Sequence, residues 1–371
     1  MIKTHQAVTE ISAAFADLGT FLPLVLGLVV IAGFDPVGLL FGFGVFALIS
    51  AWVYQRPIPV QPMKAVAAMA IAGLIDTDTL IATGLLIGVF LVVISQTGLI
   101  GMLKRSIPNT VLYGMRLALG VSLILTTLSF GSIEYGPTLI LLLALIGLQL
   151  TALRAVSCLV LIVGGFLWLG VIPEATTWAP QWALPSVSMP TWNALQASMM
   201  DALLPQIALT LTNALILTAV IAKEYFPDDP RVHTENRYAL TSGIANVVLA
   251  PLGAIPMCHG AGGLAAHYAM GARTGVSIAF FGIICLGAAV VFGPQTMAFF
   301  VAMPMEVVTP LVVYAAWVLA DPPSLLRLKP TCLLIIFAMV PVALLFGLMP
   351  ALLAGVLAEH GRLVLIDRST T

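Results

Sequence analysis

Charge is what this chain has least of. Of its 371 residues only 8% are Asp, Glu, Lys or Arg, while 60% are hydrophobic. A soluble domain carries roughly a quarter charged residues, so a water-facing globular fold is excluded and a polytopic membrane protein is expected. Cysteine is nearly absent as well. Cys158, Cys258, Cys285 and Cys332 lie inside apolar runs with no CxxC pair, which excludes a disulfide framework or a zinc site and makes them packing residues. No nucleophile–base pair or metal-ligand spacing is evident, so an enzyme is not expected and no cofactor is implied. The net charge of −1 gives no basic surface for nucleic acid. The first apolar run carries Asp17 and continues at spanning length, so a cleavable signal peptide is not expected.

What is present is proline at two telling places. Arg56-Pro57-Ile58-Pro59-Val60-Gln61-Pro62-Met63-Lys64 sits between long apolar segments and is too broken to be an ordinary span. Its prolines remove amide donors and hold Ile58 to Gln61 extended until Pro62, which suits the first turn of a helix. A half-helix from Met63 to Gly73 therefore begins in mid-membrane. About four extended residues at ~3.3 Å and eleven helical ones at ~1.5 Å add to about 30 Å, one hydrocarbon thickness. The stretch Ala254 to His267 repeats the design, with a short extended piece around Pro256 feeding a small-residue helix.

Gln61 and Cys258 lie 197 positions apart, and Pro108 and Pro304 lie 196 apart. A constant offset of about half the chain indicates two homologous halves. Spans are expected at Glu10–Ala32, Pro36–Tyr54, the broken segment to Gly73, Thr79–Leu103, Pro108–Leu128, Pro137–Ala152 and Arg154–Ile172. The second set is Met200–Ala222, Tyr238–Leu252, the broken segment to Gly271, Thr274–Phe292, Met297–Leu319, Thr331–Phe346 and Pro350–Ile366. The fold class is thus an all-α polytopic membrane protein with 14 spans in a 7+7 inverted repeat, whose third and tenth spans are broken half-helices each preceded by a short strand. Residues 1–172 form the first repeat, 173–199 an extracytoplasmic linker and 200–371 the second repeat. With the N-terminus inside, thirteen of the fifteen Lys and Arg fall on inner ends and none on outer loops, so both termini are expected in the cytoplasm. A bacterial inner membrane is the expected location.

The two basic residues left over are Lys64, at the start of the first half-helix, and Arg116, within the fifth span. A charge inside a membrane marks a site by default; snorkelling or structural pairing is the alternative for Lys64, and an ion pair or interhelical contact is the expected role of Arg116. Asp17, Thr20 and Phe21 share one face of the first span, and Gln206, Thr210 and Asn213 share one face of the eighth. Such stripes serve interhelical bonding or a site; equivalent placement in the two halves favours the site. Half-helix N-termini present unpaired N–H groups to an anion near the midplane. Candidate binding residues are therefore Asp17, Thr20, Phe21, Gln61, Met63, Lys64, Gln206, Thr210, Asn213, His259, Gly260, Ala261, Gly262 and Gly263. His259 serves either as proton carrier or oxyanion donor or as a helix cap, and the glycines serve either close packing or close anion approach. Asp17 is either the partner of Lys64 in the empty site or a proton acceptor.

Ala16-Asp17-Leu18-Gly19-Thr20, Pro59-Val60-Gln61-Pro62-Met63-Lys64, Pro205 to Asn213 and Cys258 to Ala265 together resemble the molybdate-transporter branch of the sulfate permease family. The resemblance implies the seven-plus-seven fold shared with uracil permeases. Its core domain takes approximately 9–104 plus 200–293 and its gate domain approximately 107–172 plus 297–366. It also implies secondary active import of a tetrahedral oxyanion, molybdate first, with sulfate or tungstate as further substrates. Unlike the wider sulfate permease pattern, no C-terminal cytosolic regulatory domain is expected after Ile366. A coupled proton and a homodimer remain open; membrane lipid is the expected surrounding. A nucleobase permease on the same fold and an anion channel are the competing readings, the first disfavoured because no acid stands at the centre of the eighth or tenth span.

Overall fold

The computed structural model describes residues 4–71, 73–105, 107–129, 133–151, 153, 156–170, 180–296, 304–320 and 322–369. Its secondary structure is helical apart from two short strands. The helices used below are α1 (Thr4–Ala13), α2 (Leu18–Leu26), α3 (Pro36–Tyr54), α4 (Lys64–Ile71) and α5 (Thr77–Ser95). Further along come α6 (Leu99–Arg105), α7 (Asn109–Ser129), α8 (Tyr135–Gln149), α9 (Ser157–Leu169) and α10 (Trp192–Ala197). A run of helical turns then carries α11 (Leu203–Leu209), a π segment over Thr210–Leu217, and α12 (Thr218–Tyr225); after it come α13 (Glu235–Leu249), α14 (Ala261–Ala269), α15 (Val276–Gly287) and α16 (Met305–Ala320). The strands are β1 (Gln61–Pro62) and β2 (Met257–Cys258).

Among the described residues four helices are long and apolar enough to cross a membrane: Pro36–Tyr54, Thr77–Ser95, Gln206–Tyr225 and Val276–Gln295. Their ends follow from local chemistry. Asp35 accepts from Val37 N at 3.1 Å and Gly38 N at 3.2 Å to cap α3, with Pro36 in the first turn, where its missing N–H costs nothing. Asp76 does the same for α5 through Thr79 N at 2.7 Å.

Small residues decide how these helices meet. A Cβ on Gly88 of α5 would lie 2.9 Å from the Gly243 carbonyl of α13, and one on Gly243 would lie 2.9 Å from the Gly88 carbonyl. The same mutual contact joins Gly44 of α3 to Gly282 of α15, at 2.9 and 3.0 Å. Backbone therefore touches backbone at both crossings, which small residues alone permit. In sequence these are pairings of the second expected span with the eleventh and of the fourth with the ninth.

The first expected span is not one helix. Residues Ala14 to Asp17 form a turn between α1 and α2, and the Asp17 carbonyl accepts from Thr20 N at 3.0 Å and Phe21 N at 3.1 Å. Asp17 thereby starts α2 rather than sitting inside a continuous helix, while Thr20 and Phe21 still lie one turn beyond it.

All four cysteines are free and buried. Two of the thirteen inner basic residues, Lys3 and Arg154, lie outside the described residues, as do the expected end of the seventh span at Ile172 and the expected start of the twelfth at Met297.

The segment after residue 179 is not a loose connection. Gln181 N donates to Val291 O at 2.8 Å, Ala183 N to Val290 O at 3.0 Å and Ser188 N to Pro251 O at 2.8 Å, while Thr191 Oγ1 donates to Asp78 at 2.7 Å. It ties down the ends of α5, α13 and α15 on one side of the molecule.

Candidate functional site

The two broken segments meet head to head. β1 and β2 pair antiparallel in the register Gln61 to Cys258 and Pro62 to Met257, so the residues related by the 197-position offset are direct cross-strand partners. Met63 N extends the ladder to Pro256 O at 2.9 Å. Beyond it, one residue separates β1 from α4 and two separate β2 from α14. Asn246 of α13 holds the second segment from behind, its Oδ1 taking Met257 N at 2.8 Å and its Nδ2 giving to Met257 O at 2.6 Å. Ser50 does comparable work for the first, donating to Ile58 O at 2.6 Å.

The two half-helix ends differ. At α4, Gln206 Oε1 accepts from Ala65 N at 3.0 Å and Val66 N at 3.2 Å, and Ala67 N goes to Met63 O. Gln206 Nε2 in turn donates to Thr210 Oγ1 at 2.9 Å, the i, i+4 contact expected along the eighth span. At α14, Gly260 is the cap residue and Leu264 N turns back to its carbonyl. Among the described residues no acceptor takes the amides of Ala261, Gly262 and Gly263.

Over that first turn of α14 lies a side-chain pair. Gln61 Nε2 donates to Asp17 Oδ2 at 2.5 Å, a charge-assisted bond. A Cβ on Gly263 would fall 2.5 Å from Gln61 Nε2 and 2.8 Å from Asp17 Cγ, and one on Gly260 would fall 2.5 Å from Gln61 Cδ. Glycine is needed at both positions because the Asp17–Gln61 pair rests directly on the helix backbone.

Lys64, the first residue of α4, has a partly exposed stem, yet its Nζ is enclosed and has no hydrogen-bond partner. The expected ion pair between Asp17 and Lys64 is not formed. The carboxylate is taken by the Gln61 amide, and no bond joins it to the ammonium. Burying an ammonium unpaired is costly, and no acceptor among the described residues offsets that cost here.

The other predicted residues fall in and around this centre. Met63 is fully buried behind the strand. Phe21 packs edge-on against Phe43 at 4.8 Å and Phe281 at 5.1 Å, and with Asp17 and His267 it lines a small enclosed cavity. Thr20 is buried on the same helix. Asn213 lies buried in the π segment, and its Oδ1 has no partner among the described residues. His259 is a brace in this structure: Nδ1 meets Pro59 O at 3.0 Å, Nε2 meets Thr241 Oγ1 at 2.9 Å, and the ring lies among Phe46, Tyr54 and Tyr238. Thr241 was not anticipated from sequence; only the tertiary fold brings it to the histidine.

Arg116 forms an ion pair with Glu224 at the end of α12, with the Tyr113 ring beside its guanidinium. It joins two helices that sequence assigns to different domains.

An apolar helical fold with two half-helices abutting through a two-strand crossing, and an enclosed ammonium with no acceptor among the described residues, fits the class of membrane transporters for anions. The solved structures agree on the fold. The chain is similar to the transmembrane domain of the cyanobacterial bicarbonate transporter BicA, with TM-score 0.59 and 18% identity over 94% of this chain and 98% of that one. It is likewise similar to the murine Slc26a9 anion transporter in the inward-facing state, with TM-score 0.63 and 11% identity over 97% and 68%. Residues 9–123 and 198–319 match the family described as "Molybdate transporter of MFS superfamily", and the chain belongs to that family. Among its relatives are Molybdate transporter 2 of Arabidopsis thaliana, 27% identical over 84% of this chain and 78% of the relative, and Molybdate transporter 1 of Chlamydomonas reinhardtii, 25% identical over 84% and 83%. These relatives are transporters, not enzymes. They are plant and algal, so they lend no support to the expected bacterial membrane.

Proposed function

We propose that this protein imports a tetrahedral oxyanion, molybdate or its near analogues tungstate and sulfate, by secondary active transport. The observation that carries the reading is that, among the described residues, no acceptor takes either the three amides at the start of α14 or the enclosed Lys64 ammonium at the start of α4. Amides at a helix N-terminus suit an anion, and so does an ammonium lacking a counter-charge. The molybdate-transporter relatives favour molybdate among the candidates.

The exchange of contacts between halves supports the inverted repeat of seven plus seven spans. The second and eleventh spans cross as the fourth and ninth do, and Gln61 faces Cys258. In this reading the core domain, approximately 9–104 plus 200–293, carries the site past a gate domain, approximately 107–172 plus 297–366, in alternating access. Asp17, bonded to Gln61 beside the site, is the group that takes up a coupled proton, and both termini lie in the cytoplasm.

The test is uptake of labelled molybdate into proteoliposomes, competed by tungstate, sulfate and uracil. Saturable uptake blocked by tungstate is expected; competition by uracil alone would replace the oxyanion with a nucleobase. Orientation is checked separately. Single cysteines at the exposed positions Glu134 and Ser186 should react with a membrane-impermeant maleimide from outside, and one at the exposed Asp228 should not.

A further inference from the structure

The two half-helices are not equivalent donors. Gln206 reaches from the eighth span, 141 positions away in sequence from Ala65, and its Oε1 occupies both the Ala65 and Val66 amides. The side chain is 1% exposed and its Nε2 is anchored on Thr210, so the carbonyl oxygen is aimed rather than free to rotate. With Ala67 N turned to Met63 O, the α4 terminus has no second or third amide left for a ligand. α14 keeps its first three, and the Lys64 ammonium is enclosed with no acceptor. We propose that Gln206 is a built-in plug, a neutral oxygen standing where a substrate oxygen would otherwise sit. It makes the site one-ended, with the anion held by the α14 amides and Lys64 but not by the α4 amides. This rests on the oxyanion reading above and refines it.

The physical consequence concerns charge. A site using both half-helix ends would offer about +0.5 from each plus the ammonium. With α4 capped by an uncharged amide, the donor field is weaker on one side, which limits how tightly the site grips and therefore how readily it releases. Gln206 is then a tuning residue, not a ligand.

Gln206→Ala frees the two amides and leaves room for an oxygen. If the plug is real, purified Gln206→Ala should bind molybdate at least threefold more tightly than wild type by isothermal titration calorimetry, although the loss of the cap lowers its melting temperature. Unchanged or weaker binding by folded variant would overturn the proposal, weaker binding meaning that Gln206 itself touches the substrate. Hydrogen exchange on the wild-type protein gives a readout that needs no variant. Added molybdate should protect peptides covering 261–263 and leave those covering 65–67 as they were; protection at 65–67 would also overturn it. Failure of wild type to bind molybdate, tungstate or sulfate at all would instead sink the functional reading.

Discussion

Gly263→Ala tests how closely side chains approach the α14 backbone. The new Cβ would stand 2.5 Å from Gln61 Nε2 and 2.8 Å from Asp17 Cγ, distances that real Cβ atoms essentially never show. Either α14 shifts, at the ~1–3 kcal/mol of overpacking, or the Asp17–Gln61 bond breaks, at the ~1.5–3 kcal/mol of a hydrogen bond to a charged group. The cheaper route decides, so about 2 kcal/mol is expected, less a few tenths recovered because alanine suits a helix better than glycine. The larger effect falls on binding. Whichever group moves, the Asp17 carboxylate or the amides are displaced from their present arrangement, and molybdate affinity should fall at least tenfold. The assay is calorimetric titration on protein shown to be folded by its melting curve, with Gly164→Ala as control. Gly164 lies in α9 with nothing within 4 Å of its Cβ position, so that variant should match wild type. Wild-type affinity in folded Gly263→Ala would refute the claim that Asp17 and Gln61 press on a binding surface.

Lys64→Ala should weaken molybdate binding about 10- to 100-fold, the worth of one charged hydrogen bond, while Lys64→Arg restores part of it; titration of both variants checks this. Glu224→Ala removes one ion-pair partner of Arg116, that between α7 and α12, and should lower the melting temperature, and a double-mutant cycle with Arg116→Ala should return a coupling of about 1 kcal/mol or more. Asp229 lies in the turn after α12, where bonds from Arg231 and then Arg56 hold its carboxyl well below the usual carboxylate range. A depressed folded value means that the stabilisation is fully present above the unfolded value near 4 and drains away as pH falls below it. Melting curves from pH 7 to pH 3 should therefore show a gap between wild type and Asp229→Asn that narrows below about pH 4; a gap constant with pH would count against the assignment. The four buried thiols should resist maleimide in the native protein and react only on unfolding.

The broken segments were legible because proline leaves a local mark. Three prolines between Arg56 and Lys64 allow no helix and no more than a two-residue paired strand, and the half-helix expected at Met63–Gly73 is found at Lys64–Ile71. The repeat offset pointed to Gln61 and Cys258, which proved to face each other. The break at Ala14–Asp17 left no such mark, since Ala13-Ala14-Phe15-Ala16 favours helix. What interrupts it is tertiary: Asp17 turns its carboxylate to Gln61, 44 positions on, and Phe15 packs edge-on against Phe280. An acidic residue at a helix start was the available hint. Gln206 was recognised as a site residue, but its capping of another helix could not be read from a stripe, because the stripe shows which face a residue occupies and not what it meets. His259 suffered likewise, its partners Pro59 and Thr241 being set by the fold.

The crossing of β1 and β2 also limits what the molecule can do in motion. Pro59, Pro62 and Pro256 have no N–H to give, so beyond the two paired positions and the Met63 N to Pro256 O bond the crossing has few donors with which to re-pair in a shifted register. A two-residue sheet that resists slipping behaves as a rivet between the halves. In the alternating-access reading proposed above, that rivet keeps the mouth-to-mouth spacing of α4 and α14 unchanged as the site turns from one side of the membrane to the other.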